Sequence, residues 1–153
     1  MGAVRIYHNT TYYDDPGHTA WASIGSGHTH FINNVVASTA YVFEDTSARP
    51  YPEGNVWDYN NFYTTDPTRY IKWENVRLDV AGFRARGFQL HGISEPPRFR
   101  NPEARDLRLL PDDPGIDRAL PLPGINDGYF GPGPDIGAFE FVPEVAAARG
   151  SVK

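Results

Sequence analysis

The side chains best suited to chemistry fall into three groups. Asp14, Asp15, His18, His28 and His30 put carboxylates and imidazoles within one short stretch. Carboxylates with backbone oxygens suit Ca²⁺, which takes six to eight oxygen ligands, whereas imidazoles suit a transition metal. Asp14 and Asp15 are therefore the candidate ligands and Ca²⁺ the candidate ion; no other cofactor is expected. The competing reading makes Asp14-Asp15-Pro16-Gly17 a turn, and makes His28 and His30 alternating strand residues with at most one facing inward. The second group, Arg69, Lys72, Arg77, Arg84 and Arg86, supplies cations. A base beside such cations can remove a proton from an acidic substrate while the cations neutralise its charge. Asp15, His28 and Lys72 are the catalytic candidates, with Arg69 and Arg84 as substrate contacts. The third group is aromatic: Trp21, Trp57, Tyr63 and Trp73 suit contact with sugar rings or protein partners, and core filling competes for the same side chains.

Three similar segments must position these residues. Ile6-Tyr7-His8-Asn9-Thr10-Thr11, Phe31-Ile32-Asn33-Asn34-Val35-Val36 and Asp58-Tyr59-Asn60-Asn61-Phe62-Tyr63 place Asn9, Asn34 and Asn61 at spacings of 25 and 27 residues. Each has a large apolar or aromatic residue two before the Asn and strand-favouring residues after it. A period in the twenties built from such residues predicts stacked β-structure. Stacked Asn side chains can bond to one another along the stacking axis, so Asn9, Asn34 and Asn61 are the expected ladder.

Composition agrees. The chain has 153 residues, with Gly 15, Pro 14, Tyr 9, Phe 9 and Trp 3, which suits many short strands joined by turns. Cysteine is absent, which excludes disulfides and thiolate metal sites. No apolar run approaches the roughly 18 residues of a membrane span. Net charge is −5, and only residues 66–110 are basic, with 9 basic and 6 acidic side chains. Nucleic acid is therefore not an expected partner, since it wants a basic stripe over a whole face. The first residues have no signal-peptide h-region and run straight into the first repeat. The pattern thus lacks an amino-terminal cap, as in a portion of a longer, secreted protein.

Along the chain, residues 4–64 carry the expected rungs and 65–142 an irregular cap, together one domain, with 143–153 as a tail. Asp79 to Arg86 predicts a short helix with Asp79 as N-cap and Gly87 as its stop. Leu107 to Leu110 predicts a last short strand, and Pro111 to Pro134 a long ordered loop. Asp135 to Phe141 alternates and predicts a closing strand.

From about residue 56 to 141 the chain resembles the carboxy-terminal part of right-handed parallel β-helix proteins of the pectate-lyase-like group, of the chondroitinase B and alginate lyase type. The likeness lies in an ordered series: Val56 to Tyr63, Phe83-Arg84 through Gly87, His91-Gly92-Ile93-Ser94, Pro97-Arg98-Phe99, Asp106 to Leu109, Pro114 to Asp117, and Pro134 to Glu140. It implies an all-β, right-handed parallel β-helix of three to four rungs with a loop-rich cap and one short helix. In that family the tail segments are scaffold and catalysis lies on earlier rungs. A looser likeness to galacturonan hydrolases rests on Asp14-Asp15, Gly27-His28 and Arg69 with Lys72, and departs from them at Thr29 and at the added Tyr70.

The expectation is a polysaccharide-binding module without a complete catalytic site. The alternatives are a small lyase or hydrolase acting on a uronate polymer, and a self-assembling structural fragment. Open β-helix ends predict a homo-oligomer.

Overall fold

A computed structural model describes residues 4–15, 19–21, 28–46 and 53–143. The chain is mainly β, with one short α-helix. In order the strands are β1 (Val4–Tyr7), β2 (Thr10–Tyr12), β3 (Thr29–Ile32), β4 (Val35–Ser38), β5 (Phe43–Glu44), β6 (Val56–Asp58), β7 (Asn61–Thr64), β8 (Ile71–Trp73) and β9 (Val76–Leu78). Helix α1 (Val80–Arg84) follows, then β10 (Phe99–Asn101) and β11 (Asp106–Leu109). No helix among the described residues is long and apolar enough to cross a membrane.

The first nine strands form three sheets that the chain visits in turn. β1, β3 and β6 pair in parallel as the first sheet, and β2, β4 and β7 in parallel as the second. In the third, β5 pairs in parallel with β8, and β9 folds back antiparallel. Ala20 and Trp21 extend this third sheet without forming a strand of their own: Ala20 N donates to Tyr41 O, and Glu44 N to Trp21 O. A partial fourth layer comes from residues 89–93, where Gln89 N bonds Trp57 O and Ile93 pairs with Asn61.

The corner between the first two sheets repeats most closely. It consists of a residue with left-handed backbone followed by an Asn: His8-Asn9, Asn33-Asn34 and Tyr59-Asn60, with φ of 51°, 61° and 55° at the first residue. A left-handed residue turns the chain sharply and breaks the strand-to-strand backbone bonding. The following Asn repairs the break. Asn34 Oδ1 accepts from both Asn9 N and Asn9 Nδ2, at 2.9 and 3.0 Å. Asn60 Oδ1 accepts from Asn34 N and Nδ2 at 2.8 and 3.0 Å. Gln89 Oε1 closes the series on Asn60 Nδ2 at 3.0 Å. The ladder is thus Asn9–Asn34–Asn60–Gln89, with Asn60 in place of the expected Asn61. Register decides this: Thr10, Val35 and Asn61 are the cross-strand partners one residue later. Asn61 faces the other way. Its Oδ1 accepts from Glu95 N, and its buried Nδ2 has no partner among the described residues.

Alternation assigns the faces. Ile6, Phe31 and Trp57 stack inward from the first sheet, and the Phe31 and Trp57 rings lie 4.8 Å apart at 15°. Val36 and Phe62 enter from the second sheet, Phe43, Ile71 and Trp73 from the third, and Phe83 of α1 closes the cluster. Asp79 caps α1 as expected, accepting from Gly82 N at 2.7 Å.

A second core lies outside the second sheet. Val35 projects outward there and packs with Ile93, Phe99, Leu109, Ala119 and Ile136. The Pro/Gly-rich segment expected as a loop is therefore a packed strap. The expected closing strand over 135–141 is absent; instead Gly137 N donates to Asn33 O, and Ala138 N to Thr10 Oγ1. Gly137 sits at φ 107°, where a Cβ would meet Thr10 Oγ1 at 2.6 Å and Val35 Cγ2 at 2.9 Å, so the strap can lie this close only as glycine.

Asn34 is fully buried and makes ladder bonds on both sides, and its loss strands several polar groups. Asn34→Ala should lower unfolding stability by about 2–5 kcal/mol, and Asn9→Ala, at the exposed end, by about 1 kcal/mol. Denaturant titration of the two variants measures the difference.

Candidate functional site

The expected site residues scatter over the three sheets. Lys72 lies on the outward face of the third sheet, its Nζ 3.2 Å from Glu44 Oε1, and Glu44 Oε2 accepts from Thr19 Oγ1. Asp15 follows β2, and its carbonyl accepts from Thr39 Oγ1 at 2.7 Å. His28 precedes β3 with φ of 56°, and its ring lies against Gly54. Of the three catalytic candidates only Lys72 lies on a strand, and each belongs to a different part of the chain. Asp14 and Asp15 are exposed, and the described residues contain no group of three or more His, Asp or Glu side chains placed to hold a metal. His18 lies outside the described residues.

The aromatic candidates divide. Trp57 and Trp73 are 4% and 2% exposed and belong to the core, so their faces are already covered. Trp21 is half-buried, edge-on to Phe31, and its Nε1 donates to Thr11 Oγ1. Tyr63 is half-buried in β7. Arg69 pairs with Asp66 three residues before it. Arg84 donates from Nε to Gln89 O and from Nη2 to Gly92 O, tying α1 to the loop that follows.

That loop completes an arrangement on the open outer face of the first sheet. Asp58 projects outward at the end of β6. Its Oδ1 accepts from Tyr59 N at 2.9 Å and His91 N at 2.8 Å, and its Oδ2 accepts from His91 Nδ1 at 2.7 Å. The Tyr59 and His91 rings stack at 4.8 Å and 11°. The imidazole is held at its edge by a carboxylate and over its face by a phenol ring. Its Nδ1 is used, and Nε2 points away from Asp58. The His91 side chain stays 59% exposed. Further along the same face, Tyr7 Oη and His30 Nδ1 share a 3.3 Å hydrogen bond, and Arg5 is exposed in register with His30. Two Tyr–His pairs and a guanidinium therefore stand on the outer side of the first sheet. It can stack on a planar or ring-shaped ligand, donate and accept hydrogen bonds, and offer one carboxylate-oriented imidazole as an acid or base.

Asp58, Tyr59 and His91 stand in quoted segments of the sequence, but nothing in a single chain links positions 33 residues apart. The strap carries a second polar cluster. Asp135 is buried and accepts from Asp117 N at 2.8 Å and Phe141 N at 2.6 Å; burial pushes its carboxyl up to about 6. Glu140 accepts from Phe130 N and Asp135 N. Within β11, Arg108 grips Asp106 with two bonds and pulls its carboxyl down to about 2.

No family model, curated protein or solved structure matches the chain.

A ring that fills the core should cost far more when removed than a cation on a sheet surface. Trp57→Ala should lose about 3–5 kcal/mol of stability. Lys72→Ala, which breaks one part-exposed ion pair, should lose under about 1 kcal/mol. Thermal and denaturant unfolding of the two variants tests the assignment.

Proposed function

We propose that this chain is a polysaccharide-binding module built on a right-handed parallel β-helix, with the outer face of the first sheet as its contact surface. The handedness follows from the rule that parallel strands joined by a crossover in one sheet are right-handed in about 98% of cases. The observation that carries the binding role is the Tyr59–His91 stack at the edge of the first sheet, with His91 exposed and fixed by Asp58. A sugar ring offers an apolar face and a polar rim. A fixed ring pair receives the face, and the Tyr7, His30 and Arg5 side chains line up for the rim. Fixing the rings before binding lowers the ordering cost of association. The Arg5 guanidinium favours an acidic sugar over a neutral one.

The oriented imidazole supports a second reading, in which His91 exchanges a proton with the bound chain. Uronate-polymer turnover with new unsaturated ends, lost in His91→Ala, would favour that lyase. β1 and β2 are edge strands of their sheets, which supports self-association of two copies. A mass that doubles with concentration in light scattering would favour assembly.

Calorimetric titration with polygalacturonate, alginate and a neutral glucan tests the primary reading. The wild type should bind an acidic polymer, and Tyr59→Ala or His91→Ala should weaken it about tenfold, which is about 1.4 kcal/mol. Equal binding by Tyr59→Ala and the wild type would place the contact elsewhere.

A further inference from the structure

His8 stands at the first corner, where the strap crosses the stack. Its Nδ1 lies 3.1 Å from Gly137 O. A carbonyl only accepts, so Nδ1 carries the proton. Its Nε2 lies 3.0 Å from Asn33 Nδ2 and 2.7 Å from Asn126 Nδ2. The orientation of both amides is fixed by backbone partners. Asn33 Oδ1 accepts from Leu120 N while its Nδ2 donates to Leu120 O, each at 2.8 Å. Asn126 Oδ1 accepts from Leu122 N at 2.6 Å, and its Nδ2 donates to Leu120 O at 3.0 Å. Turning either amide over would set carbonyl against carbonyl and N–H against N–H. Two N–H donors therefore converge on Nε2, and that nitrogen must be the unprotonated one. The hydrogen bonds alone define His8 as a neutral imidazole of one tautomer.

We propose that His8 is an acid-sensitive latch: protonation at Nε2 faces it with two amide donors and frees the strap, residues 119–138, from the first corner. Once Nε2–H forms, the centre of the latch holds three N–H groups and no acceptor. Asn33 and Asn126 must turn away, and both also hold Leu120. The Nδ1–H bond to Gly137 O survives the proton, so release starts at the Leu120 and Asn126 end of the strap.

Other titratable groups face His8 across a pocket of about 280 Å³, namely Asp135, Glu140 and Tyr129. Burial lowers the His8 pKa from the ordinary 6.5, while Gly137 O, Glu140 and Asp135 pull it the other way. A lowered folded value means that the unfolded or released state takes the proton first. The latch is therefore intact above pH 6.5 and weakens as pH falls below it. Asp135 runs in the opposite sense. Its folded value of about 6 lies above the ordinary 3.8, so acid relieves the cost of burying its charge and stabilises the closed strap. Acid release of the strap thus carries the sign of His8 and not of Asp135.

Hydrogen exchange of the full chain between pH 7.5 and 4.5, corrected for the intrinsic rate, tests the latch. The variants are His8→Gln and Asp135→Asn. Gln suits the left-handed backbone, which Gln89 adopts elsewhere in this chain at φ 55°, and its Oε1 can accept from both amides at every pH. Strap amides of Asp135→Asn should exchange faster at the acid end, because the opposing carboxylate is removed, while β3 and β4 stay protected. His8→Gln should show no acid release, and the wild type should fall between the two variants. A strap that stays closed in Asp135→Asn to pH 4.5 would overturn the proposal, as would one that opens equally in His8→Gln. Nitrogen chemical shifts of His8 give an independent reading if His8→Gln does not fold. A protonated Nδ1 and bare Nε2 at neutral pH, with a midpoint that tracks strap opening, support the latch. A protonated Nε2 at neutral pH, or a midpoint unrelated to opening, overturns it.

Discussion

Four side-chain amides run in series through the corner between the first two sheets, Asn9 to Asn34 to Asn60 to Gln89, and much of the remaining structure depends on that alignment. The left-handed residue before each Asn turns the chain but interrupts backbone pairing. The Asn amide then takes the bonds that the backbone has lost. Because these groups are buried, a slip by one residue would leave several of them without partners, at about 1–3 kcal/mol each. The ladder therefore fixes register. Register in turn sends Phe31 and Trp57 inward together and leaves Asp58, Tyr7 and His30 outward. The last member is held less directly. Gln89 reaches the stack only because Gly92 has no Cβ, which would otherwise meet the Gln89 amide at 2.2 Å. Arg84 grips the carbonyls of both residues.

The same register creates an unusual demand at the second sheet. Val35 must point outward, because Val36 points in. An outward valine in the middle of a sheet needs cover, and the carboxy-terminal strap supplies it with Ile136, Ala119 and the β10–β11 hairpin. The first sheet has Ile32 and the exposed Val56 on its outer side, and its other outward residues are polar or aromatic. The outer face of the second sheet thus becomes a second core, while that of the first keeps exposed residues such as Arg5 and Val56. The loop 89–92 serves both ends of this division, since Gln89 finishes the ladder and His91 builds the open face.

Parts of this were legible in the sequence. Asn9 and Asn34 align because the residues around them match in type as well as spacing. The third repeat contains Asn60 and Asn61 side by side, and either can be set against Asn34; inner and outer faces differ only by the one-residue shift that a linear pattern leaves open. Gln89 carries no signal, because its amide does an asparagine's task from a different backbone position. The tryptophans were ambiguous for a related reason. A stacked fold needs large rings inside, and a sugar-binding face needs them outside, so ring type alone does not choose. The strap was the least legible. Its Pro and Gly content marks irregular backbone, yet its burial comes from contacts with residues such as Asn33, 87 positions away. His8 reads as one polar residue among many until Gly137 and Asn126 are brought to it.

The ladder is a continuous set of amide hydrogen bonds, buried at Asn34 and Asn60. Hydrogen exchange of the side-chain NH₂ groups, followed by NMR on selectively labelled protein, reads it out. The Asn34 and Asn60 amide protons should exchange only with global unfolding, far more slowly than those of exposed Asn75. Exchange of Asn34 or Asn60 at the rate of an exposed side-chain amide would contradict it, and the register argument built on the ladder would then fail.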